Sequence, residues 1–585
     1  MRFQRITKWV GIATLMAAGG CNDLNVDNPN APDAKRALGD PNAVEALGAG
    51  AMRTWFNAFN QLASAGVMST QARSYSASWN NANMNFYSSI DNPTAPPDQW
   101  SRMSRSWQND PSAAGRTSVE AFWNGTTDQV GVFRGGFYSA LSSANDALRT
   151  IRTDGLVIRN DADTKRLETI TTFMQGASLM MIALNYDKAY IVDETTPVNS
   201  TEDLAKLQYS NRKEVRDAAI AKLQEAITLA KANTFTTPDA WANGYSYTNL
   251  QIAQIANTMA AMALAYYPRD NTEVAAVAWD QVASFAAEGM SVGTPVDFSY
   301  VGDGGTAWYN EVLAWFNALD SGRLHTRVAH LLDPATQKDP WPTDEGGNEQ
   351  PNSADKRLGD GSFGDADTED SFGTPPKTAK AGTDFAWTSD GQAMRPDRGQ
   401  YHQSNLGHIR YDESGSQDPQ GVYGGYGPVP AINAAANDLL WAEALLRQGA
   451  ANAAQAATLI DKTRVDRGGL PSSALAVGNV GADADGPCMS TGKQAKDGAP
   501  CSLWAMLLYE KEVELLGQGP LPFFEQRRLP VIIGGGYAGD NSPVRVIAGL
   551  LQGTPREMPV PAKELGVKAE PLYTWGGSKP NSPAP

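Results

Sequence analysis

Residues 213–231 read KEVRDAAIAKLQEAITLAK, and the spacing inside this stretch decides the fold class. Val215, Ala219, Leu223, Ile227 and Ala230 recur at steps of four, four, four and three, while Arg216, Asp217, Lys222 and Glu225 fall elsewhere. Apolar side chains repeating near 3.6 residues form one stripe of an amphipathic helix, whereas a strand would need alternation at two. The stretch predicts a helix with one buried face.

The same period extends outward in both directions. Asn249 to Tyr267 is apolar nearly all round, with Ala253, Ala256, Ala260 and Ala263 small enough to let neighbouring helices approach, so a buried helix is expected. Glu273–Glu288 carries Val274, Val277, Val282 and Phe285 on one stripe. Upstream, Asp128–Arg152 and Lys165–Tyr190 read as a pair. Downstream come Ala431–Gln448 and Ala453–Arg467, the latter closed by Gly468, Gly469 and Pro471, and then a last helix over Leu503–Leu516. Strand signals are scarce. The expectation is an all-α scaffold of stacked helix pairs similar in shape to tetratricopeptide repeats, without a regular sequence period. Between the helices lie long segments of loop composition: 74–123, 291–308, 333–426 and 472–501. Loops of this length inside a compact protein are uncommon and point to function or disorder.

Composition narrows the function. Across 585 residues, 64 acidic against 48 basic side chains leave a net charge of −16, which disfavours a binder of the phosphate backbone. Four histidines and three cysteines leave little material for a multi-ligand transition-metal site.

The N-terminus is organised differently. Arg2, Arg5 and Lys8 precede the uncharged run Trp9–Gly20, which is too short to span a bilayer as a helix. A basic head, a short apolar stretch and small residues make a secretion signal over residues 1–20. Ala18-Gly19-Gly20-Cys21 looks like the lipobox of bacterial lipoproteins, in which Cys21 would be lipidated and become the mature N-terminus. Acyl chains would then hold the protein at a membrane without spanning it. Residues 21–35, rich in Asn, Asp and Pro, read as a tether, and 36–585 as a single helical domain. Export would favour pairing Cys488 with Cys501, which lie close together in sequence, over a catalytic thiol.

In order along the chain, six stretches resemble the SusD/RagB nutrient-uptake lipoproteins. Leu24-Asn25-Val26-Asp27-Asn28-Pro29-Asn30 follows Cys21; Phe173–Tyr190 leads into Thr196-Pro197; Arg212–Ala230 is similar to that family's amphipathic helix. Trp441-Ala442-Glu443-Ala444 with Thr463–Pro471, Glu510–Leu515 with Arg527-Arg528, and Met558–Pro561 with Glu564-Leu565 complete the series. Lys511 and Leu521 depart from it, standing where the family tends to place arginines. The resemblance implies a non-catalytic, cofactor-free binding protein, lipid-anchored on the outer membrane and exposed at the cell surface, that captures an oligomeric nutrient, usually a glycan. It implies a TonB-dependent (SusC-like) channel as the partner.

Recognition of a glycan needs flat rings for sugar faces and polar groups for hydroxyls. Aromatics that follow no helical stripe and lie among polar residues supply candidates: Trp79, Tyr87, Trp100 and Trp107 in segment 74–123, and Tyr300, Trp308 and Tyr309 in segment 298–316. Other constellations are weaker. Asp360, Asp365, Asp367, Glu369 and Asp370 form an acidic run without the glycine and glutamate spacing of an EF-hand, and Asp483-Ala484-Asp485-Gly486 is shorter still. His325 and His330 are five apart, off a common helix face. Glu443, Glu510 and Glu514 sit on apolar helices and either form a glycosidase pair or, as burial demands, are paired with Arg464, Arg467 or Arg527. Three functions remain: a nutrient-binding lipoprotein, a lipid-anchored helical scaffold without a small ligand, and a glycan hydrolase.

Overall fold

The structure, a computed structural model, describes residues 37–61, 65–77, 136–198, 200–294, 296–303, 307–316, 322–334, 336–337, 353–358, 384–387, 404, 406–408, 410–411, 426–489, 500–530, 549–550, 556–558, 560 and 562–571. Helices dominate them. The first half holds α1 (Pro41–Phe59), α2 (Val67–Gln71), α3 (Tyr138–Arg152), α4 (Asp161–Asn185), α5 (Thr201–Lys206), α6 (Arg212–Ala232), α7 (Asn249–Ala265), α8 (Asn271–Val274) and α9 (Trp279–Ala287). The second half holds α10 (Glu311–Phe316), α11 (Thr326–Leu332), α12 (Ala434–Gln448), α13 (Ala453–Arg464), α14 (Leu503–Glu514), α15 (Leu521–Gln526) and α16 (Ala562–Val567).

The quoted stretch is α6, and its start is explained by its first residues. Asn211 accepts from the Glu214 N–H at 3.0 Å while the Glu214 carboxylate accepts from the Asn211 N–H at 3.2 Å, a reciprocal cap. Thr248 and Gln251 repeat the arrangement at the start of α7. The buried face of α6 is Val215, Ala219, Leu223, Ala226 and Ala230; Ile227 is only partly buried. A true 3.6-residue period drifts from a run of fours, and Ala226 takes the place expected for Ile227.

Packing runs helix to helix along the chain: α1 on α3, α3 on α4, α4 on α6, α6 on α7, α7 on α9, α9 on α12, and α12 on both α13 and α14. Consecutive long helices are antiparallel, since Arg212 at the head of α6 donates to Asp187 just past the tail of α4, and Asn249 at the head of α7 donates to Ala230 near the tail of α6. This is the stacked-pair scaffold expected from the periodicity. Helix α4 is long and apolar enough to cross a membrane, but its apolar window is wholly buried inside the protein. It is a core helix. At Gly176 a Cβ would sit 2.7 Å from Leu223 Cγ and 2.9 Å from the Leu223 backbone nitrogen, so only glycine lets α4 and α6 approach this closely.

Two expectations are corrected. The helix expected over Glu273–Glu288 is two helices, α8 and α9. Asp270 caps the first turn by accepting from Thr272 and Glu273, and the Trp279 indole donates to Val274 O across the break. Strands are also present: β1 (Tyr75–Ala77) pairs with β5 (Gly322–Leu324), β2 (Lys188–Ala189) with β3 (Ser210–Asn211), β4 (Phe298–Asp303) with β8 (Tyr426–Ile432), and β6 (Phe385–Trp387) with β7 (Leu406–His408), each as an antiparallel two-stranded ribbon. The loop-like segment 291–308 thus contains a strand, and α12 starts at Ala434, capped by Asn433, because Ala431 and Ile432 belong to β8.

Candidate functional site

The described part of the candidate binding region is the β4–α10 connection, held over α1. Tyr247 fixes β4 from one side, its hydroxyl accepting from Ser299 N at 2.6 Å. Asn243 fixes it from another, its backbone carbonyl accepting from Val301 N at 3.0 Å and its amide donating to Val301 O. Beyond β4 the chain turns back on itself: the Asp303 carboxylate accepts from Ala307 N at 2.8 Å and Trp308 N at 2.9 Å. Asn57 of α1 then brackets the tryptophan, donating to Ala307 O at 2.9 Å and accepting from Tyr309 N at 3.3 Å.

The three rings on this segment differ in burial. Tyr300 is 2% exposed and Trp308 9%; they stack on each other at 5.8 Å and pack against Phe56. Tyr300 accepts from the Asn60 amide at 2.9 Å, and burial pushes its hydroxyl far above the usual tyrosine range. Neither ring is a surface platform: both are pins that hold the segment to the core. Tyr309, on the far side of the Asn57 bracket, is half-buried. Trp79, Tyr87, Trp100 and Trp107, like Cys21 and the acidic run Asp360–Asp370, lie outside the described residues. Asn57 and Asp303 had no sequence signal, because Asn57 meets its partners across 250 positions. The sequence signal for β4 is short, Phe298 and Tyr300 two apart with Val301 between Tyr300 and Gly302.

The three carboxylates weighed as hydrolase residues are all buried and paired. Glu443 binds Arg528 and Lys511 and accepts from Arg447 at 2.8 Å, with Glu525 joining the same cluster through Arg528 at 2.6 Å and Lys511 at 3.1 Å. Burial alone would raise the Glu443 pKa, but the charges of Arg528, Lys511 and Arg447 outweigh it and hold the carboxyl well below the usual range. Lys511, a departure from the family pattern, is thereby a structural cation. Glu510 and Glu514 both receive Arg357, at 2.7 and 2.8 Å, and Glu514 also receives Arg410 at 2.6 Å and Arg467 at 3.0 Å. Carboxylates tied up in this way offer no open acid and nucleophile pair. Arg464 approaches Glu510 at 3.8 Å. Arg527 corrects the expectation: instead of a carboxylate it reaches the carbonyls of Leu184, Tyr266 and Arg556 at 2.8–3.0 Å. Helices α4 and α7 end side by side there, leaving last-turn carbonyls that a cation satisfies.

The remaining small motifs are also occupied by the fold. Asp483 pairs with Arg447 at 3.0 Å, and Asp485 accepts from Ser502 at 2.6 Å. His325 accepts from Arg327 N, and His330 contacts Gln337 O at 2.6 Å, so the two do not share a ligand. Among the described residues no group of three or more His, Cys, Asp or Glu is arranged to hold a metal ion. Cys488 and Cys501 are joined as a disulfide with their Cα atoms 6.0 Å apart, next to the head of α14.

No family model matches the sequence. A search of curated proteins likewise returned no match. Solved structures do match. A SusD superfamily protein from Bacteroides thetaiotaomicron aligns over 90% of this chain and 98% of its own, with a TM-score of 0.52 at 10% identity. The fold is SusD-like. A SusD superfamily protein from Bacteroides vulgatus covers 91% of this chain and 98% of its own at 13% identity and a TM-score of 0.46. Surface glycan-binding protein A from Bacteroides uniformis covers 77% and 87% at 15% identity and a TM-score of 0.41. The SusD-like assignment rests on the first of these, in which nearly the whole of both chains is superposed.

Proposed function

We propose that this protein is an outer-membrane lipoprotein, anchored through Cys21 and exposed at the cell surface, that captures an oligomeric nutrient and passes it to a TonB-dependent channel. The nutrient is a glycan, and it is bound without turnover. The observation that carries the reading is the SusD-like fold over nine-tenths of the chain, which follows a cysteine-terminated export signal. Support at the site is local: Tyr309 is half-buried on a backbone clamped through Asn57 and Asp303. Trp79, Tyr87, Trp100 and Trp107 are the further candidate sugar-stacking rings.

The test is an affinity pull-down from membranes together with calorimetric titration of a glycan panel. Recovery of a large β-barrel, and saturable binding with no release of product, are the expected results. A second reading, a lipid-anchored helical scaffold for protein partners, is favoured by one observation: Tyr300 and Trp308 are packed inside the body. It gains if no glycan binds while a protein partner is still recovered.

A further inference from the structure

A buried imidazole joins the segment between α11 and α12 to the helical body. His408 of β7 pairs with Phe385 of β6, and its ring lies 5.6 Å from the Phe385 ring and 5.7 Å from the Tyr411 ring. Tyr75 Oη of β1 stands 2.8 Å from His408 Nδ1, across 333 positions of chain. A Cβ placed on Gly517, in the α14–α15 turn, would sit 3.0 Å from His408 Cε1 and 3.1 Å from both Leu313 and Tyr411. The histidine is 1% exposed and closely packed against these neighbours.

With the Tyr75 hydroxyl as donor to Nδ1, the neutral ring keeps its hydrogen on Nε2, which meets no hydrogen-bond partner among the described residues. A second proton goes to Nδ1. That nitrogen then no longer accepts from Tyr75, and a cation is enclosed by Phe385, Tyr411, Tyr75 and Leu313. The surrounding charges do not offset it. Arg410, two positions on, and Arg467, just past α13, repel a cation. Glu514 of α14 attracts one, but it already receives Arg357, Arg410 and Arg467. Asp384, just before β6, already receives Arg467 at 2.5 Å. The two tyrosines stay neutral, since burial raises Tyr75 far above the usual range and Tyr411 to about 12. Burial, with the Arg410 charge beside it, lowers the His408 pKa to about 3.

We propose that His408 is an acid-sensitive latch: the β6–β7 ribbon is seated on β1 and the α14–α15 turn while this ring is neutral, and leaves them when the ring takes a proton. The release reaches the candidate binding region. The Tyr411 hydroxyl accepts from the Asn433 amide at 3.2 Å, and Asn433 is where β8, the partner of β4, passes into α12. A released ring has the ordinary histidine pKa of about 6.5 and the seated ring a lower one. Seating is therefore fully favoured above about pH 6.5 and weakens by about tenfold for each unit below it. Asp384 works in the opposite sense: burial raises its pKa, so its protonation in acid favours seating.

Hydrogen exchange of the full chain, read by mass spectrometry and corrected for the pH dependence of the chemical step, measures seating as the protection of peptides covering 385–387 and 404–411. Between pH 7.5 and 5 that protection should fall roughly thirtyfold more in the wild type than in His408→Asn, which keeps an acceptor near Nδ1 but does not titrate. Peptides of α4 should keep their protection in both. His408→Phe, which fills the ring's place beside Phe385 and Tyr411, is the second non-titrating variant and should behave as His408→Asn does. Ribbon protection that stays flat in the wild type from pH 7.5 to 5 overturns the latch whether or not the variants fold. A fall of equal size in the variants, or one shared by α4, overturns it as well.

Discussion

Glu443 is the most demanding test of the buried-charge reading. Its carboxylate is 1% exposed and is the shared acceptor of Arg528, Lys511 and Arg447, whose side chains are 0%, 2% and 13% exposed. Replacing it with glutamine keeps the shape and removes the charge. Glu525 then remains with two buried cations, Arg528 and Lys511, and Arg447 keeps its pair with Asp483. Removing one partner of a buried ion pair costs about 3–5 kcal/mol because it strands uncompensated charge. Glu525 still neutralises part of that charge, so the lower end, about 3 kcal/mol, is expected.

Equilibrium urea unfolding followed by far-ultraviolet circular dichroism measures the difference. Lys213→Ala serves as reference, since its pair with Asp217 is exposed at 65% and 45% and should contribute no more than about 0.5 kcal/mol. The pH dependence gives an independent check. A carboxyl whose folded pKa is depressed contributes stability above its unfolded pKa of about 4.3 and loses it as pH falls toward the folded value. The gap between wild type and Glu443→Gln should therefore be full at pH 7 and narrow steadily below about pH 4.3. A gap no larger than that of Lys213→Ala, or one that widens in acid, refutes the reasoning.

Other perturbations separate packing, electrostatics and binding. Gly176→Ala should cost about 1–3 kcal/mol on urea unfolding, because the new methyl meets the Leu223 backbone as well as its side chain. Glu194→Gln should cost stability at pH 7 that disappears as pH falls from about 4.3 toward 2: burial opposes the charged form, but Gln175, Lys222 and Arg152 outweigh it and bring the Glu194 pKa to about 2. Replacing Cys488 and Cys501 together by serine opens a loop with a sequence separation of 13 and should cost about 3 kcal/mol, seen as a matching loss when the wild type is reduced. Tyr300→Phe should lower stability by about 1 kcal/mol through loss of the Asn60 hydrogen bond and leave glycan titration unchanged, whereas Tyr309→Ala should weaken glycan binding with little change in unfolding.

What the sequence determined by itself was the helical scaffold. Residues 213–231 announce their helix by a periodic apolar stripe, 249–267 and 503–516 by apolar runs of helical length, and each has an N-cap residue just before it, so the signals are local in the chain. Where local signals compete, reading along the chain fails: the stripe through Val274, Val277, Val282 and Phe285 continues across the break between Val274 and Trp279, which the Trp279 indole spans. Only the tertiary structure decided which aromatics are pins: Tyr300 and Trp308 are buried, while Tyr309 is half-buried. Trp308 and Tyr309 are adjacent in sequence, and Asn57, far away in the chain, brackets the tryptophan by bonding Ala307 O and Tyr309 N. The same holds for the charges. Glu443 gains its low pKa from Arg528, 85 positions on, and Arg527 beside it serves helix ends rather than any acid. Periodicity is written into neighbouring residues, but burial and charge pairing depend on distant segments meeting, and one chain read alone does not say which segments meet.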